Sequence, residues 1–363
     1  MCSRTGSFPP ALARYFIENF SEKGDKVLDP FSGKGTAPLE ACLSERIGIG
    51  NDLAPEAYVL TYAKVRPVSL DRIITYLQNI EDKIDIRNVS LLEESEDVRI
   101  FFHSHTLKQV VGLKEILKDE YSDEGMFVKA LMCGIIHGSS EISLSLPCSH
   151  SFSMSPKYVK KYAKLHKLKK PRRNVIYCLT EKAKRSLKDE IPKVKGYVYR
   201  TNAAHLEIQD KSVNLILTSP PYFNKQTYAW DNWLRLWFLG FDYHVINKIL
   251  FSSQSKQKFI RFMTDCLKEM YRVLKDNSAC FIVVGDVKLN HEVINTAKLL
   301  ARIAERIGFS TEKIINDAIP PNNKYLMYIP KDKGVRLDRI IELHKGDVKK
   351  GCCAPLGCEY EKT

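Results

Sequence analysis

The pentapeptide Thr218-Ser219-Pro220-Pro221-Tyr222, here called the proline loop, has the residue types of a pocket for a planar ring that carries an amino group. Two consecutive prolines fix φ at about −65° and keep Ser219 and Pro220 extended, because a residue before proline is displaced from the helical region. Neither proline has an N–H, so the Ser219 hydroxyl and nearby carbonyls could accept hydrogen bonds from an amino group. Tyr222 offers a face for stacking. Taken alone, the segment fits a proline turn with a core tyrosine equally well.

A second segment, Asp29-Pro30-Phe31-Ser32-Gly33-Lys34-Gly35-Thr36, has features of a nucleoside-binding turn and is called the glycine loop. Gly33 and Gly35 can adopt positive φ and let the backbone approach a ligand, and a helix that follows presents free N–H groups. Asp52 ends the next predicted strand, where a carboxylate can bind a ribose diol. A tight turn between strand and helix explains the glycines nearly as well, but the added acid favours a nucleoside. The Walker spacing G-x-x-x-x-G-K-[ST] does not occur.

Strands that alternate with helices must position these two loops. The pattern predicts a mainly parallel sheet of about seven strands, covered by helices on both faces. Apolar runs predict its strands at 26–29, 47–51, 197–199, 213–217, 279–284, 311–315 and 339–343. Helical spacing predicts the helices 11–20, 37–43, 69–84, 107–118, 125–136, 228–237, 259–274 and 293–307. Most of the aromatic residues in 228–237 are expected to be core, because helical spacing is what a packed face needs.

Residues 69–195 interrupt the alternation of strands and helices. Nearly all of the net charge of +13 lies at their end, since residues 157–195 contain fifteen Lys and Arg but only three acidic residues. A polyanionic partner explains this concentration better than an ordinary solvated face does. We therefore interpret residues 69–195 as an inserted, mostly helical region that binds nucleic acid, with contacts expected from Lys160, Lys161, Lys164, Lys169, Lys170, Arg172 and Arg173. No standard DNA-reading motif is evident in it.

Composition and cysteine spacing indicate the class of protein, its expected location and the state of its cysteines. A chain with 44% hydrophobic and 27% charged residues is typical of a soluble globular protein. No apolar stretch approaches the roughly 18 to 20 residues of a membrane helix, and no apolar core of a signal peptide is present, so a cytoplasmic location is expected. The ten cysteines are expected to be reduced thiols. Cys352, Cys353 and Cys358 cluster without a fourth ligand or a Cys-x-x-Cys spacing, so no metal site is predicted.

The two loops together match a known family. The glycine loop resembles the cofactor loop of S-adenosylmethionine-dependent amino-methyltransferases of DNA, and the proline loop resembles their catalytic loop. Phe8-Pro9-Pro10 is similar to the segment before their cofactor loop, and Asn202-Ala203-Ala204-His205-Leu206 is similar to a short motif before their catalytic strand. The resemblance implies a Rossmann-like class I methyltransferase sheet of about seven strands with an inserted, mostly helical basic region.

The resemblance also implies a division of the chain. Residues 1–68 would form the first, cofactor-binding part of the catalytic domain, and 196–350 its second part with the catalytic loop. Residues 69–195 would be an inserted target-recognition region, and 351–363 a Cys-containing tail.

The resemblance implies S-adenosyl-L-methionine as the cofactor, with its binding residues at Asp29, Phe31, Gly33, Gly35, Thr36, Asp52 and Asn202, and catalytic residues at Ser219, Pro220, Pro221 and Tyr222. An acid is more usual in the family at the position of Asn202, although an amide oxygen can also accept from the cofactor's adenine amino group. Serine before Pro-Pro-Tyr is mostly associated with N4-methylation of cytosine, and Asp or Asn with N6-methylation of adenine. Ser219 therefore favours cytosine.

The expected function is site-specific methylation of double-stranded DNA on the exocyclic amine of a flipped base. Three alternatives stay open: adenine N6-methylation, methylation of RNA, and a DNA-binding module with an inactive catalytic domain. We find no Asp…Glu-x-Lys constellation of a fused nuclease. A separate cognate restriction endonuclease as partner and a solitary methylase are both compatible with the sequence, and no membrane partner is expected.

Overall fold

The computed structural model describes residues 9–147, 153–189, 191–221, 228–253, 255–289, 292–318 and 337–347. The chain divides into two compact units. The helical unit is built from Ala54–Pro192 and Thr227–Leu250, and the sheet unit contains the rest of the described chain.

The sheet unit is organised around one seven-stranded sheet with the spatial order β3-β2-β1-β4-β5-β9-β8. The first five strands of that order are parallel, and β9 is antiparallel to both of its neighbours. A hairpin of β6 and β7 lies outside the sheet. The strands are β1 (Lys26–Asp29), β2 (Ile47–Asn51), β3 (Tyr197–Tyr199), β4 (Val213–Thr218), β5 (Leu274–Gly285), β6 (Val287–Leu289), β7 (Glu292–Ile294), β8 (Ser310–Ala318) and β9 (Leu337–Lys345).

The predicted sheet is confirmed, since a strand lies at each of the seven predicted positions and the sheet is mainly parallel. Strand ends differ by a few residues, most clearly in β5, which starts at Leu274 rather than at 279. Between the buried Leu274 and the predicted start, Lys275, Asp276 and Asn277 are exposed and polar, so hydrophobicity could not reveal this part of the strand.

Fourteen helices lie in the described part of the chain. They are α1 (Pro10–Phe20), α2 (Thr36–Leu43), α3 (Pro55–Val65), α4 (Leu70–Glu81), α5 (Glu96–Arg99), α6 (Ser104–Leu117), α7 (Asp123–Ile135), α8 (Pro156–Leu165), α9 (Val175–Ser186), α10 (Tyr228–Asp231), α11 (Trp233–Phe238), α12 (Tyr243–Ile249), α13 (Lys256–Val273) and α14 (Thr296–Ile307).

Helices cover both faces of the sheet, as predicted. On one face α1 and α2 bury Phe16 and Ala41 against alternate residues of β4 and β5, and the rings of Phe16 and Phe281 lie 4.2 Å apart between centroids. On the other face α13 and α14 bury residues such as Met263 and Leu300 against the intervening positions of the same strands. Residues of β5 contact the two helix layers alternately, because successive side chains of a strand point to opposite faces of the sheet.

The boundaries of the helical unit differ from the predicted 69–195. The unit begins at Ala54, because α3 packs its apolar side, including Leu60 and Ala63, in the same core as α4, α6, α7 and α9. It also includes 227–250, where Trp233 and Leu234 are buried in that core. Helical periodicity shows that a face will be buried, but it does not show against which core. The tail 351–363 lies outside the described residues.

The aromatic segment predicted as one helix, 228–237, is two short helices, α10 and α11. They are separated at Asn232, whose side chain donates to the Tyr228 carbonyl at 2.7 Å. Of the four aromatic residues in this segment, Trp233 is buried, Tyr228 and Trp237 are half-buried and Trp230 is exposed, so the prediction that most of them are core is confirmed only for Trp233.

Gly48 lets β2 lie close to the backbone of α2. A Cβ at this position would lie 2.1 Å from the carbonyl oxygen of Pro38, a backbone atom that cannot rotate away. We expect Gly48→Ala to lower the free energy of unfolding by about 2 kcal/mol, measured by urea denaturation. The control is Gly24→Ala, where φ is 86° and no atom lies within 4 Å of the added Cβ. This control variant should lose only about 1 kcal/mol of unfolding free energy, because its only cost is a Cβ on a residue in the left-handed conformation. A smaller loss at Gly48 than at Gly24 would contradict this packing.

Candidate functional site

The glycine loop connects β1 to α2 at the carboxyl edge of the parallel strands. Gly33 and Gly35 both have positive φ, 52° and 72°, which L-residues with a Cβ rarely adopt. The loop is closed by the Gly35 N–H, which donates to the Ser32 carbonyl at 2.6 Å. Thr36 begins α2 and is buried. The two glycines thus give the loop its shape, as the sequence predicted.

Asp52 follows β2 and lies beside the glycine loop, where the sequence analysis expected it. Its Oδ2 accepts a hydrogen bond from the Gly33 N–H at 2.9 Å, and its side chain is half-buried. Because this bond joins a carboxylate to a loop amide, Asp52 also fixes the loop conformation.

Asp29 connects the glycine loop to the proline loop. The Thr218 hydroxyl donates to Asp29 Oδ1 at 2.6 Å, and the Phe31 N–H donates to the same oxygen at 3.1 Å. Asp29 is only 3% exposed and Thr218 is fully buried. These contacts follow from the sheet, because β1 and β4 are parallel neighbours and both loops leave from their carboxyl ends.

Burial raises the pKa of the Asp29 carboxyl to about 7, although the hydrogen bonds from Thr218 and Phe31 oppose the shift. The negative charge of Asp52 raises this pKa further. A positive charge placed nearby would favour the ionised form of Asp29 and lower its pKa.

The described part of the proline loop continues directly from β4. Ser219 and Pro221 are half-buried, and Pro220 is buried. Tyr222, the predicted stacking residue, lies outside the described residues.

Asn51 is a site residue that the sequence analysis missed. Its side chain is fully buried at the end of β2, and its Oδ1 accepts from the N–H and the hydroxyl of Thr201 at 3.0 and 2.9 Å. Its Nδ2 donates to the carbonyls of Pro30 and Thr201 at 3.2 and 3.0 Å. Asn51 therefore fixes the segment before Asn202 against the glycine loop. The signal that the sequence offered for Asn51 was an amide side chain directly before Asp52, at the end of a predicted strand.

Asn202 and Phe31, two predicted cofactor-binding residues, have different surroundings. Asn202 is exposed, and its Oδ1 accepts the Ala204 N–H at 3.0 Å, which leaves that oxygen a second lone pair. The half-buried Phe31 ring packs toward α13, with its centroid 6.1 Å from that of Phe262. Phe262 in turn stacks on Phe251.

The seven predicted nucleic-acid contacts lie in the helical unit, on α8 and on the connection to α9. Within α8 only Val159 is buried, so the lysines of this helix are exposed to solvent. Of the seven residues, Arg173 alone is half-buried. Two of the lysines have protein partners: Lys160 pairs with Glu96 at 3.2 Å, and Lys170 donates to the Arg99 carbonyl at 2.7 Å. Although most of the Lys170 side chain is exposed, partial burial of its ammonium group lowers its pKa, and its bond to Arg99 gives it a structural contact as well.

The described ranges contain neither a metal-binding cluster nor a membrane-spanning helix. No group of three or more His, Cys, Asp or Glu side chains there could hold a metal ion. The cysteines 352, 353 and 358 lie outside those ranges. None of the helices in the described ranges combines the length and the apolar character required to cross a bilayer.

A family model described as DNA methylase, that of the N6/N4 methyltransferases, matches residues 4–63 and 213–342, just over half of the chain. The Type II methyltransferase M.MjaII of Methanocaldococcus jannaschii is 27% identical over 133 residues, which span 33% of this chain and 24% of that protein. The match thus spans about a quarter of that relative's length.

Two solved structures are also similar. A DNA modification methylase candidate from Thermus thermophilus, complexed with S-adenosyl-L-methionine, is 18% identical with a TM-score of 0.26, covering 42% of this chain and 51% of that one. A SAM-dependent methyltransferase from Methanosarcina mazei is 11% identical with a TM-score of 0.38, covering 92% of this chain and 98% of that one.

The raised pKa of Asp29 predicts a pH-dependent stability. Between about pH 4 and pH 7 the unfolded carboxyl is ionised while the folded one holds its proton, so stability falls as pH rises through this window and levels off above it. Asp29→Asn keeps the Oδ1 acceptor and removes the titration. Relative to this variant, the wild-type chain should lose on the order of 4 kcal/mol between pH 4 and pH 8, measured by urea denaturation at each pH. Parallel curves for the two proteins would contradict the assignment.

Proposed function

Because the chain belongs to the N6/N4 family of DNA methylases, we propose that it transfers a methyl group to the exocyclic amine of a DNA base. The observation that carries the proposal is the buried hydrogen bond between Thr218 and Asp29, which holds the proline loop beside the glycine loop. A methyl donor and an amino acceptor have to be bound next to each other, and these two loops leave from adjacent strand ends.

The cofactor is S-adenosyl-L-methionine, and the chemistry of the site residues fits it. A Cβ built on Gly33 would meet nothing closer than the Phe31 carbonyl at 3.9 Å, so there is open space beside the glycine loop. Asp29 and Asp52 suit a ligand with positive charges, and Asp52 can accept from a ribose diol. Asn202 retains a lone pair for an adenine amino group. When bound, the cofactor supplies an activated methyl group.

Ser219 and Pro220 would orient the amine. An exocyclic amine of a base is a poor nucleophile, because its lone pair is delocalised into the ring. The Ser219 hydroxyl and the Pro220 carbonyl would accept its two N–H bonds and draw the nitrogen toward a tetrahedral shape, which directs the lone pair at the methyl group. Tyr222 would stack on the base, which must first leave the duplex at a cost of a few kcal/mol.

Cytosine N4 is the proposed acceptor, on the basis of Ser219 in the position before Pro-Pro-Tyr. Adenine N6 is the alternative acceptor, and RNA the alternative polymer. Modification-sensitive sequencing of DNA from a host that expresses the chain would identify the methylated base and its sequence context together. Methylation of total tRNA but not of unmodified plasmid would favour the RNA alternative.

Double-stranded DNA is the proposed partner of the basic surface on α8 and the connection to α9. The exposure of its lysines supports this role, because contacts with phosphates contribute most of the nonspecific affinity for DNA. These contacts would also offset the cost of extruding a base. A separate cognate restriction endonuclease stays an open prediction.

The proposal is tested by substitutions in the proline loop. We expect Tyr222→Ala to reduce kcat strongly, Pro220→Ala to reduce it less, and Ser219→Ala to reduce it by about tenfold, the effect of one lost hydrogen bond in the transition state. The measurement is transfer of labelled methyl groups to unmodified plasmid. The matched control is Ser212→Ala, just before the opposite end of β4, where the hydroxyl donates only to the Gln209 carbonyl. It should retain full activity. Unchanged transfer in all three loop variants would exclude the proposed site.

The basic surface predicts a salt dependence of DNA binding. Replacing Lys161 and Lys164 by Ala removes up to two phosphate contacts, so the slope of log affinity against log salt concentration should become shallower by about 0.9 for each. Fluorescence anisotropy with a labelled duplex at several salt concentrations measures it. The control is Lys211→Ala in the sheet unit, which removes a lysine paired with Asp276 and should leave the slope unchanged. An unchanged slope in the double variant would show that these lysines of α8 do not contact DNA phosphates.

A further inference from the structure

Asn202 lies in the segment 201–208, which is part of the connection from β3 to β4 in the sheet unit. The segment contains no helix or strand, and it turns at Asn202, whose carbonyl accepts the His205 N–H at 2.8 Å. Asn202 is exposed and is proposed to accept from the adenine amino group of the cofactor. A residue on such a turn holds a ligand in one place only if the surrounding structure holds the turn.

Both ends of this segment are bonded to side chains of the sheet unit. At the upstream end, Asn51 makes three hydrogen bonds with Thr201. At the downstream end, α13 supplies Glu269 and Arg272. Glu269 Oε2 accepts the Leu206 N–H at 2.7 Å, and Arg272 Nη2 donates to the Leu206 carbonyl at 2.9 Å. The N–H and the carbonyl of Leu206 are therefore both bonded to the C-terminal part of α13.

Arg272 uses its whole guanidinium in this contact. Its Nε and Nη2 donate to the two carboxylate oxygens of Glu269 at 2.8 and 2.7 Å. Its Nη2 also donates to Leu206, and its Nη1 donates to the Ile208 carbonyl at 2.9 Å and to the side chain of Asp210. These five bonds equal the number of N–H groups in a guanidinium. A lysine has three donors and no planar fork, so it cannot reproduce the arrangement.

The Glu269–Arg272 pair is ionised and partly shielded from solvent. The hydrogen bond from Arg272 holds the pKa of the Glu269 carboxyl below its usual range, so Glu269 is a carboxylate near pH 7. The two side chains are 18% and 31% exposed. Hydrogen bonds to an ionised acceptor are stronger than those between neutral groups, so the bond from the Leu206 amide is a strong one.

Apolar side chains of the segment are an alternative anchor. Ala203, Leu206 and Ile208 are buried in the core that α13 shares with the sheet. Apolar burial has no preferred direction, so it holds these side chains without fixing how the peptide groups between them are oriented. The bonds of the pair to the Leu206 and Ile208 backbone supply that orientation.

We infer that Glu269 and Arg272 are positioning residues for the cofactor: they fix the downstream end of the turn that presents Asn202, while Asn51 fixes its upstream end. The inference rests on the proposed function, in which Asn202 accepts from the adenine amino group. It adds that selectivity for this amino group depends on a pair of charged residues in α13. Neither residue of the pair touches the cofactor in this role.

The test measures binding of two cofactor analogues that have no methyl group to transfer. They are S-adenosyl-L-homocysteine and S-inosyl-L-homocysteine, in which an oxygen replaces the adenine amino group. The wild-type chain should bind the adenosyl compound about tenfold more tightly, which is the effect of one hydrogen bond. Asn202→Ala should abolish this preference. Isothermal titration calorimetry on the full chain gives both dissociation constants.

Arg272→Lys and Glu269→Gln each break the pair. Arg272→Lys keeps the charge and loses the fork, and Glu269→Gln places an NH2 group among N–H groups that need acceptors. We expect the preference for the adenosyl compound to fall to about threefold or less in both variants. Because the pair acts through Asn202, adding Arg272→Lys to Asn202→Ala should change the affinity for the adenosyl compound by less than about twofold.

The matched control is Arg46→Lys, which alters another arginine of the sheet unit. Arg46 lies directly before β2 and donates to the carbonyls of Ser21 and Ser44 at 2.7 and 2.6 Å. Its loss removes similar bonds at the edge of the sheet opposite to the glycine loop. Arg46→Lys should therefore keep the full preference of the wild-type chain, even where its free energy of unfolding is lower.

Three outcomes would overturn the inference. A full preference for the adenosyl compound in Glu269→Gln would do so, and this variant decides alone if Arg272→Lys does not fold. An equal loss of preference in Arg46→Lys would show a general effect of destabilisation. Equal binding of both compounds by the wild-type chain would remove the contact of Asn202 on which the pair is inferred to act. The proposed function fails separately, if a wild-type chain that shows the preference methylates neither plasmid nor tRNA.

Discussion

The structure of the site depends on one buried hydrogen bond, from the Thr218 hydroxyl to the Asp29 carboxyl. The bond joins the ends of two adjacent parallel strands, one of which continues into the glycine loop and the other into the proline loop. Burying a charged carboxylate is unfavourable, and for this reason burial raises the pKa of Asp29. The hydrogen bonds that Asp29 accepts from Thr218 and Phe31 offset part of this cost.

The other contacts of the site extend from this bond. Asp52 and Asn51 hold the glycine loop from the side of β2, one through the Gly33 amide and the other through the Pro30 carbonyl. Side-chain hydrogen bonds of Asp29, Asp52 and Asn51 therefore fix the glycine loop, and the bond of Asp29 joins it to the proline loop.

Most of the fold and part of the site could be predicted from the sequence. The seven strands were predictable because apolar runs and flanking turns mark a covered parallel sheet, and Asp52 because it follows such a strand. The limits of the helical unit were not predictable, since the apolar face of α3 fits either core by its pattern alone. Asn51 was missed for a related reason: its partner Thr201 is distant in the chain. The structural bond of Lys170 was hidden in a run of exposed basic residues.

The pairing of β2 with β3 has a further consequence for how the chain accommodates its helical unit. The bonds of Asn51 with Thr201 close a loop of 150 residues within the sheet. The entropy lost on closing a loop grows only slowly, by about 0.6 kcal/mol for each doubling of its length. Lengthening a flexible segment between these two strands therefore alters the entropy of closing the sheet only slightly, as long as the bonds of Asn51 are kept.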